Sequence, residues 1–523
     1  MKNVVYLSFI LVASYLLTGC INDDSKTFQI AMPDITIESA SFLAYVGELT
    51  EISTPIKWAG TDSTNYDFLW TLNGEKIATD KELKYVFTLA GTSYLTFQMT
   101  DRSTELVYGK DFQLTVNSKF FLGWLILSEK EARSSLSFIH MQTYELYPDI
   151  YHALYPDEPL GSDPYRMEVH HTSSADQILV MQKGGPGLIE LNGSNFQKVI
   201  RTEDEFIGER YPENFGTPVR VAYTHKGPEL LLTDKGTIYS RQNKSTTAFQ
   251  MALYSTVPYE YSGENLSFNY FTFAGVSNFQ LMFDNTYRRW LAFYNTTTID
   301  RMIPPFTKGY TDSPGIFDYC TGMPDDIDLV YAETCNEATN TCDLIHILKD
   351  KTTGVHHMQT TSLSLSTTNY RITVTNPVQR VFAPGYGIDD KTQYCLLRGV
   401  ATAFVDSPHV FFNVGHKVYF YRWANDRIYL YKDFGTGENR PTGDIVCIHT
   451  NGNATQLGFA FSDGHFYICD ISRNTIDGIA RGDIDTSGDN QIEIQHYSGL
   501  GRIVHAAFKY GRSTNYLNAR ILY

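Results

Sequence analysis

Residues 118–523 carry one local pattern again and again: a short apolar run, a turn, a second apolar run, then a polar loop. The paired runs fall at 123–127 and 135–139, 177–181 and 188–191, 229–233 and 237–239, 279–283 and 289–294, 328–332 and 343–348, 409–413 and 417–421 (with a third at 427–431), and 456–461 and 465–469. About seven such hairpin units, roughly 45–65 residues apart, match the size of a four-stranded propeller blade. One blade cannot bury both of its faces, so each must stack on its neighbours and the ring has to close. The last apolar run, at 503–508, is placed to complete a blade with the start of the domain. A double sandwich, the alternative architecture, does not explain so many equivalent hairpins.

Composition agrees with an all-β chain. Charged residues make up 19% and aromatics 14%, with 36 Tyr and 32 Phe, and aromatic-rich, charge-poor chains favour strands. The formal net charge is −16, which offers no basic footprint for nucleic acid.

Residues 33–117 read as a small β-sandwich of the immunoglobulin type. The run 66–72, containing Trp70, leads into Asn73-Gly74, a strong hairpin turn. Residues 94–101 alternate with period two, putting Leu95, Phe97 and Met99 on one face. The Trp70 strand, Tyr85-Val86-Phe87, Gly91 and the strand ending in Asp101 resemble the PKD group of immunoglobulin-like domains. The Gly-Asp-Gly turn of that group is replaced by Leu72-Asn73-Gly74-Glu75. The resemblance implies a spacer domain.

The N-terminus has Lys2, an apolar stretch over residues 4–17, and small residues before Cys20, the make-up of a secretory signal peptide. Leu17-Thr18-Gly19-Cys20 resembles the lipobox of bacterial lipoproteins. That resemblance implies that residues 1–19 are removed, Cys20 is acylated, and residues 20–32 form a flexible tether. Asp23 and Asp24 behind the cysteine resemble the surface-export signal of lipoproteins from SusC/SusD-type nutrient importers. This implies an outer-membrane protein, held by its lipid and facing the cell exterior.

The six remaining cysteines are Cys320, Cys335, Cys342, Cys395, Cys447 and Cys469. Cys335 and Cys342 flank an apparent hairpin tip and are the expected disulfide; the others are either bridges or buried thiols. No CxxC spacing supports a zinc or redox site.

Asp483, Asp485, Ser487, Asp489 and Glu493, with Gly488, approximate a calcium loop. Its twelfth position is Ile494, and Glu493 comes one residue early, so a solvated hairpin tip in the last blade is the preferred reading and no cofactor is expected. The adjacent pairs His170-His171 and His356-His357 would point to opposite faces of a strand, so they read as loop or surface histidines. Asp325, Asp326 and Asp328 could bring paired carboxylates to a propeller face, as in glycosidases, but acids in a Pro-led turn are more often turn chemistry. Lys183-Gly184-Gly185-Pro186-Gly187 lacks the Walker spacing, and no nucleophile-elbow, zincin or dinucleotide fingerprint is present. Tyr144, Tyr147, Tyr151, Tyr155 and Tyr165 are spread through a Pro-rich segment and are candidates for an interaction loop that stacks on sugars or grips a protein.

The expected architecture is therefore all-β: signal peptide (1–19), tether (20–32), sandwich (33–117) and a propeller of about seven blades (118–523). The whole resembles PKD-like-domain surface lipoproteins that accompany SusC/SusD-type importers. It implies an accessory binding subunit beside a TonB-dependent barrel and its SusD-like lid, with further surface lipoproteins as neighbours and oligopeptides or glycans as ligands. A surface glycosidase or peptidase with its site at the propeller centre, and a scaffold docking other lipoproteins, are the alternatives.

Overall fold

The computed structural model describes residues 41–509, apart from 54–55, 57–64, 89, 173–174, 223–228, 242–252, 273–277, 296–299, 304, 312–317, 398–408, 438–439, 452–453 and 487–491. The chain divides into two compact units, Met1–Asn117 and Ser118–Tyr523. Cys20, the signal peptide and the tether lie outside the described residues.

The first unit is a two-sheet sandwich. Its larger sheet runs Phe42–Tyr45, Val107–Asn117, Gly91–Asp101, Tyr66–Leu72, Glu75–Ala78, and its smaller one pairs Leu49–Ile52 with Leu83–Val86. The hairpin turn falls at Asn73-Gly74, both with positive φ (49° and 90°), as a primed two-residue turn requires. Leu95, Phe97 and Met99 all face inward, so the period-two reading holds. Trp70 is fully buried, its ring 4.8 Å from that of Phe97, and its indole N–H donates to Asp80 O at 3.0 Å.

The second unit contains seven sheets among the described residues, numbered here as blades 1–7. Blade 1 is built from both ends of the unit: Arg502–Lys509 pairs antiparallel with Gly123–Lys130, followed outward by Arg133–His140 and Leu146–Tyr147. This closure strand is the one anticipated from the run at 503–508. Blades 2, 3, 4, 6 and 7 run outward from Ser162–Thr172, Pro218–Ala222, Phe268–Phe271, Tyr394–Leu397 and Ile445–Thr450. Blade 5 is the largest. It runs outward from Ile327–Ala338 to Arg371–Val381 and adds a short parallel edge strand, Thr307–Lys308.

The second strand of each blade explains why the sequence shows apolar runs and not alternation. In blade 2, Ile178 and Val180 pack towards blade 1 while Leu179 and Met181 pack towards blade 3. In blade 6, Val410 and Phe412 face blade 5 while Phe411 faces blade 7. Both faces are buried, so most positions in the run are apolar and no alternation shows. One apolar cluster fills each interface around the ring, from blades 1–2 through to blades 7–1. At the closing interface Gly458 lets Trp124 lie flat against blade 7; a Cβ there would come within 2.7 Å of the indole ring.

One expectation needs correction here. Cys335 and Cys342 are not bridged. Cys335 lies opposite Asp343, and a bulge follows it, so Cys342 is one position out of register. Cys335 packs into the blade 5–6 core and Cys342 into the blade 4–5 core. The last blade also contains a feature not anticipated: a helix, Arg473–Arg481, between its third and fourth strands. It closes at Gly482 (φ 80°); of the hairpin tip expected over 483–493, residues 487–491 lie outside the described residues.

Candidate binding site at the propeller hub

The inner strands of all seven blades wall a central cavity of about 740 Å³, within the size range of ordinary ligand sites. Each inner strand has one sheet edge with no neighbouring strand, and such an edge presents backbone N–H and C=O groups in need of partners. Side chains of one blade supply several of these to the next. Tyr165 Oη donates to Pro218 O at 2.7 Å, from blade 2 to 3. Arg220 Nη1 donates to Phe271 O, from 3 to 4. Tyr270 Oη donates to Ala332 O at 3.0 Å and accepts from Ala332 N–H at 3.2 Å, linking 4 and 5. Leu396 N–H donates to Tyr331 Oη at 3.0 Å, linking 5 and 6. Cys447 Sγ donates to Ala506 O at 3.3 Å, from 7 to 1. The hub is therefore tied blade to blade by side chains as well as by apolar packing.

Within this wall, charge is unevenly distributed. Arg166 and Glu168, two apart on one strand, form an ion pair at 2.5 Å. Arg220 Nε is 3.9 Å from the same carboxylate, and its guanidinium lies over the Tyr270 ring at 5.8 Å. His449 and His505 line the same cavity. Burial, reinforced by the cationic groups Arg166, His449 and Arg220, holds the His505 imidazole well below its ordinary value. Its Nδ1 is buried without a hydrogen-bond partner among the described residues. Burial pushes the Tyr270 hydroxyl and the Cys447 thiol up, so Cys447 is a protonated donor to Ala506 O and not a thiolate nucleophile. Acids also line the cavity: Asp328 and Glu333 from blade 5, Asp389 and Asp390 from the approach to blade 6, with Glu333 near enough to the Tyr270 hydroxyl to act on it alongside Arg220 and Arg166. Asp328 pairs with Lys351 at 3.1 Å, and Glu333 accepts the Thr334 amide at 3.1 Å.

A second ionic cluster is sealed between blades 2 and 3. Arg241 contacts Glu190 at 2.9 Å, Glu229 at 2.5 Å, and Glu205; all four side chains are about 1% exposed. Its guanidinium also lies 4.4 Å from the centre of the Tyr254 ring. This arrangement holds four chain segments together and has no opening to solvent, so it is structural.

The residues singled out from sequence fall elsewhere. The five tyrosines do not form an exposed loop. Tyr151 is 1% exposed and Tyr144, Tyr147, Tyr155 and Tyr165 are part-buried. Tyr155 Oη donates to Asn195 O, Tyr165 Oη to Pro218 O, and Tyr144 Oη accepts from Gln456 Nε2. They are interblade packing, and the segment folds as a short helix, Ile150–Leu154, because the ring leaves apolar surface there to be covered. Of the calcium-loop candidates, Asp483 pairs with Arg481 and Glu493 with Lys432 at 3.2 Å; Ser487 and Asp489 lie outside the described residues. No cluster of three or more metal-ligating side chains occurs among the described residues. His356 and His357 open the strand His356–Ser366 and are part-buried, with His356 at the cavity margin. His170 and His171 belong to the inner strand of blade 2. Asp325 is fully exposed beside Arg288 at 3.6 Å, whereas Asp328 reaches the cavity. Sequence reasoning missed Arg166, Glu168, Arg220, Tyr270 and His505 as a group. They come from four inner strands spread over some 340 residues of chain, and no local spacing announces them.

Fold and hub together define an all-β protein: a PKD-like sandwich followed by a seven-bladed propeller with a polar central cavity. Residues 27–163 match the model of the PKD-like family, which takes in the sandwich and runs into the first blades. No curated protein matches the chain. Among solved structures, it is similar to a quinonprotein alcohol dehydrogenase-like protein from Bacteroides thetaiotaomicron (10% identity over 92% of this chain and 97% of that one, TM-score 0.31). It is also similar to a dihydro-heme d1 dehydrogenase (7%, 77% of each chain, TM-score 0.38) and to the Cps50 (Swd1) β-propeller domain of Myceliophteria thermophila (6%, 64% and 87%, TM-score 0.35).

Proposed function

We propose that this chain is a lipid-anchored binding protein displayed outside the cell, with the propeller hub holding its ligand. It serves as an accessory subunit beside a SusC/SusD-type importer of oligopeptides or glycans. The observation that carries the binding role is the hub cavity, a space of about 740 Å³ to which seven inner strands each contribute polar or aromatic side chains. Binding is favoured over catalysis by the state of its reactive groups. Glu168 is neutralised by Arg166, the Cys447 thiol is kept protonated by burial, and both therefore serve the wall and not a reacting centre. Leu17-Thr18-Gly19-Cys20 and the acidic residues after it support the anchor and its outward display.

The test is extraction of the full-length protein from native outer membranes in mild detergent. Co-purification of a barrel transporter with its lid lipoprotein is the expected result, together with palmitate labelling that Cys20→Ala abolishes. An unacylated Cys20, or a chain that leaves the membrane alone, overturns the reading.

A further inference from the structure

The buried Arg241 shows how this fold treats an arginine it means to silence: three carboxylates and a tyrosine ring surround one guanidinium. The hub does the opposite. There two guanidiniums, Arg166 and Arg220, share the single carboxylate of Glu168, and only Nε of Arg166 is in close contact with it. Arg220 spends Nη1 on Phe271 O, which fixes its orientation. Both terminal nitrogens of Arg166, and the second of Arg220, meet no acceptor among the described residues. His505 adds a buried Nδ1 that also lacks a partner. In a chain of net charge −16, a pair of arginines sharing one carboxylate in a cavity is an unusual concentration of positive potential; apart from Glu168, the acids that line the cavity come from blade 5 and the approach to blade 6.

We propose that the hub binds its ligand through a carboxylate, gripped by the free guanidinium nitrogens of Arg166 and Arg220 with His505 as a third contact. Planar guanidinium donors match a carboxylate's two oxygens, and the bond is charge-assisted. This deepens the binding role proposed above and rests on it. A carboxylate of this kind is found at the C-terminus of a short peptide or on a uronic acid, and the cavity volume accommodates either.

The probes are trialanine, trialanine amide, a galacturonic acid trimer and neutral cellotriose, titrated calorimetrically into the full-length protein in detergent. The free acid of one series should bind about 10- to 100-fold more tightly than its uncharged counterpart, the range for one lost charged hydrogen-bonding group. Whichever acid binds identifies the source. Arg166→Gln should cost a similar factor and Arg166→Lys less, with thermal unfolding confirming that both variants are folded; the acid-against-amide comparison needs no variant at all. Equal affinity for acid and uncharged probe overturns the carboxylate anchor while leaving a ligand-binding hub intact. Absence of binding by every probe at millimolar concentration also overturns the anchor, and the wider reading is then decided by the membrane extraction.

Discussion

Replacing Arg241 by Met tests the account of what holds blades 2 and 3 together. The substitution keeps most of the side-chain volume but removes from Glu190, Glu205 and Glu229, in a site about 1% exposed, the guanidinium that contacts all three. Removing one partner from a buried ion pair typically costs about 3–5 kcal/mol, because the other charge is stranded. Here one cation contacts three carboxylates, and that range is taken for its loss. An unfolding entropy of about 2.1 cal/mol/K per residue gives a propeller unit of roughly 400 residues about 0.84 kcal/mol/K, hence a fall in Tm of about 4–6 °C. Scanning calorimetry on the full chain at pH 7 measures it. Acidification should narrow the gap between variant and wild type, since stranded carboxylates can then take up protons. Adding Glu229→Gln to Arg241→Met should recover part of the loss. A Tm change under about 1 °C, or one indifferent to pH, would falsify the view that this cluster is an ionic lock.

Other consequences are as direct. His346, fully buried and stacked on Trp290 at 5.4 Å, is held down to about 4 by burial. Its folded value lies below the unfolded one near 6.5, so the unfolded chain gains the proton first and stability falls as pH drops from about 6.5 towards 4, by about 3 kcal/mol in all. His346→Phe should flatten that acid-side decline in a series of urea melts from pH 7 to 4; an unchanged slope refutes it. Gly458→Val should cost at least about 1–3 kcal/mol, the usual price of overpacking, because its Cβ would meet the Trp124 ring at 2.7 Å; a denaturant midpoint equal to wild type contradicts the close approach. Cys335 and Cys342, unbridged in separate cores, should both react with a thiol reagent once the chain is denatured without reductant, and reductant should leave the Tm unchanged. A mass consistent with a Cys335–Cys342 bridge reverses that conclusion.

The repeat was legible because each blade solves the same burial problem with the same chemistry. The stretches 178–181 and 410–412 are apolar without alternation since successive side chains enter two different interfaces. Blade 5 was legible only in part. The unit 328–332 and 343–348 marks its first and second strands, whereas Thr-rich His356–Ser366 and Arg371–Val381 carry too many polar residues to stand out. The tyrosines of residues 144–165 were misread for a related reason: composition shows a polar, Pro-containing stretch, but Tyr147, Tyr151 and Tyr155 pack between blades 1 and 2, Tyr144 between blades 7 and 1, and Tyr165 between blades 2 and 3. Cys335 and Cys342 failed by one residue of register, which moves a side chain to the other face of a sheet and which a bulge decided.

The amino-acid sequence by itself indicated about seven repeated hairpin units, the sandwich ahead of them and a final apolar run suited to closing the ring, because those features rest on local periodicity and turn chemistry; the exact blade count and the pairing that closes the ring came from the tertiary structure. Only the tertiary structure decided the hub. Arg166, Arg220, Tyr270 and His505 are neighbours because closure brings four distant inner strands around one axis. Which charges are shared there, and which are left open to a ligand, follows from that convergence.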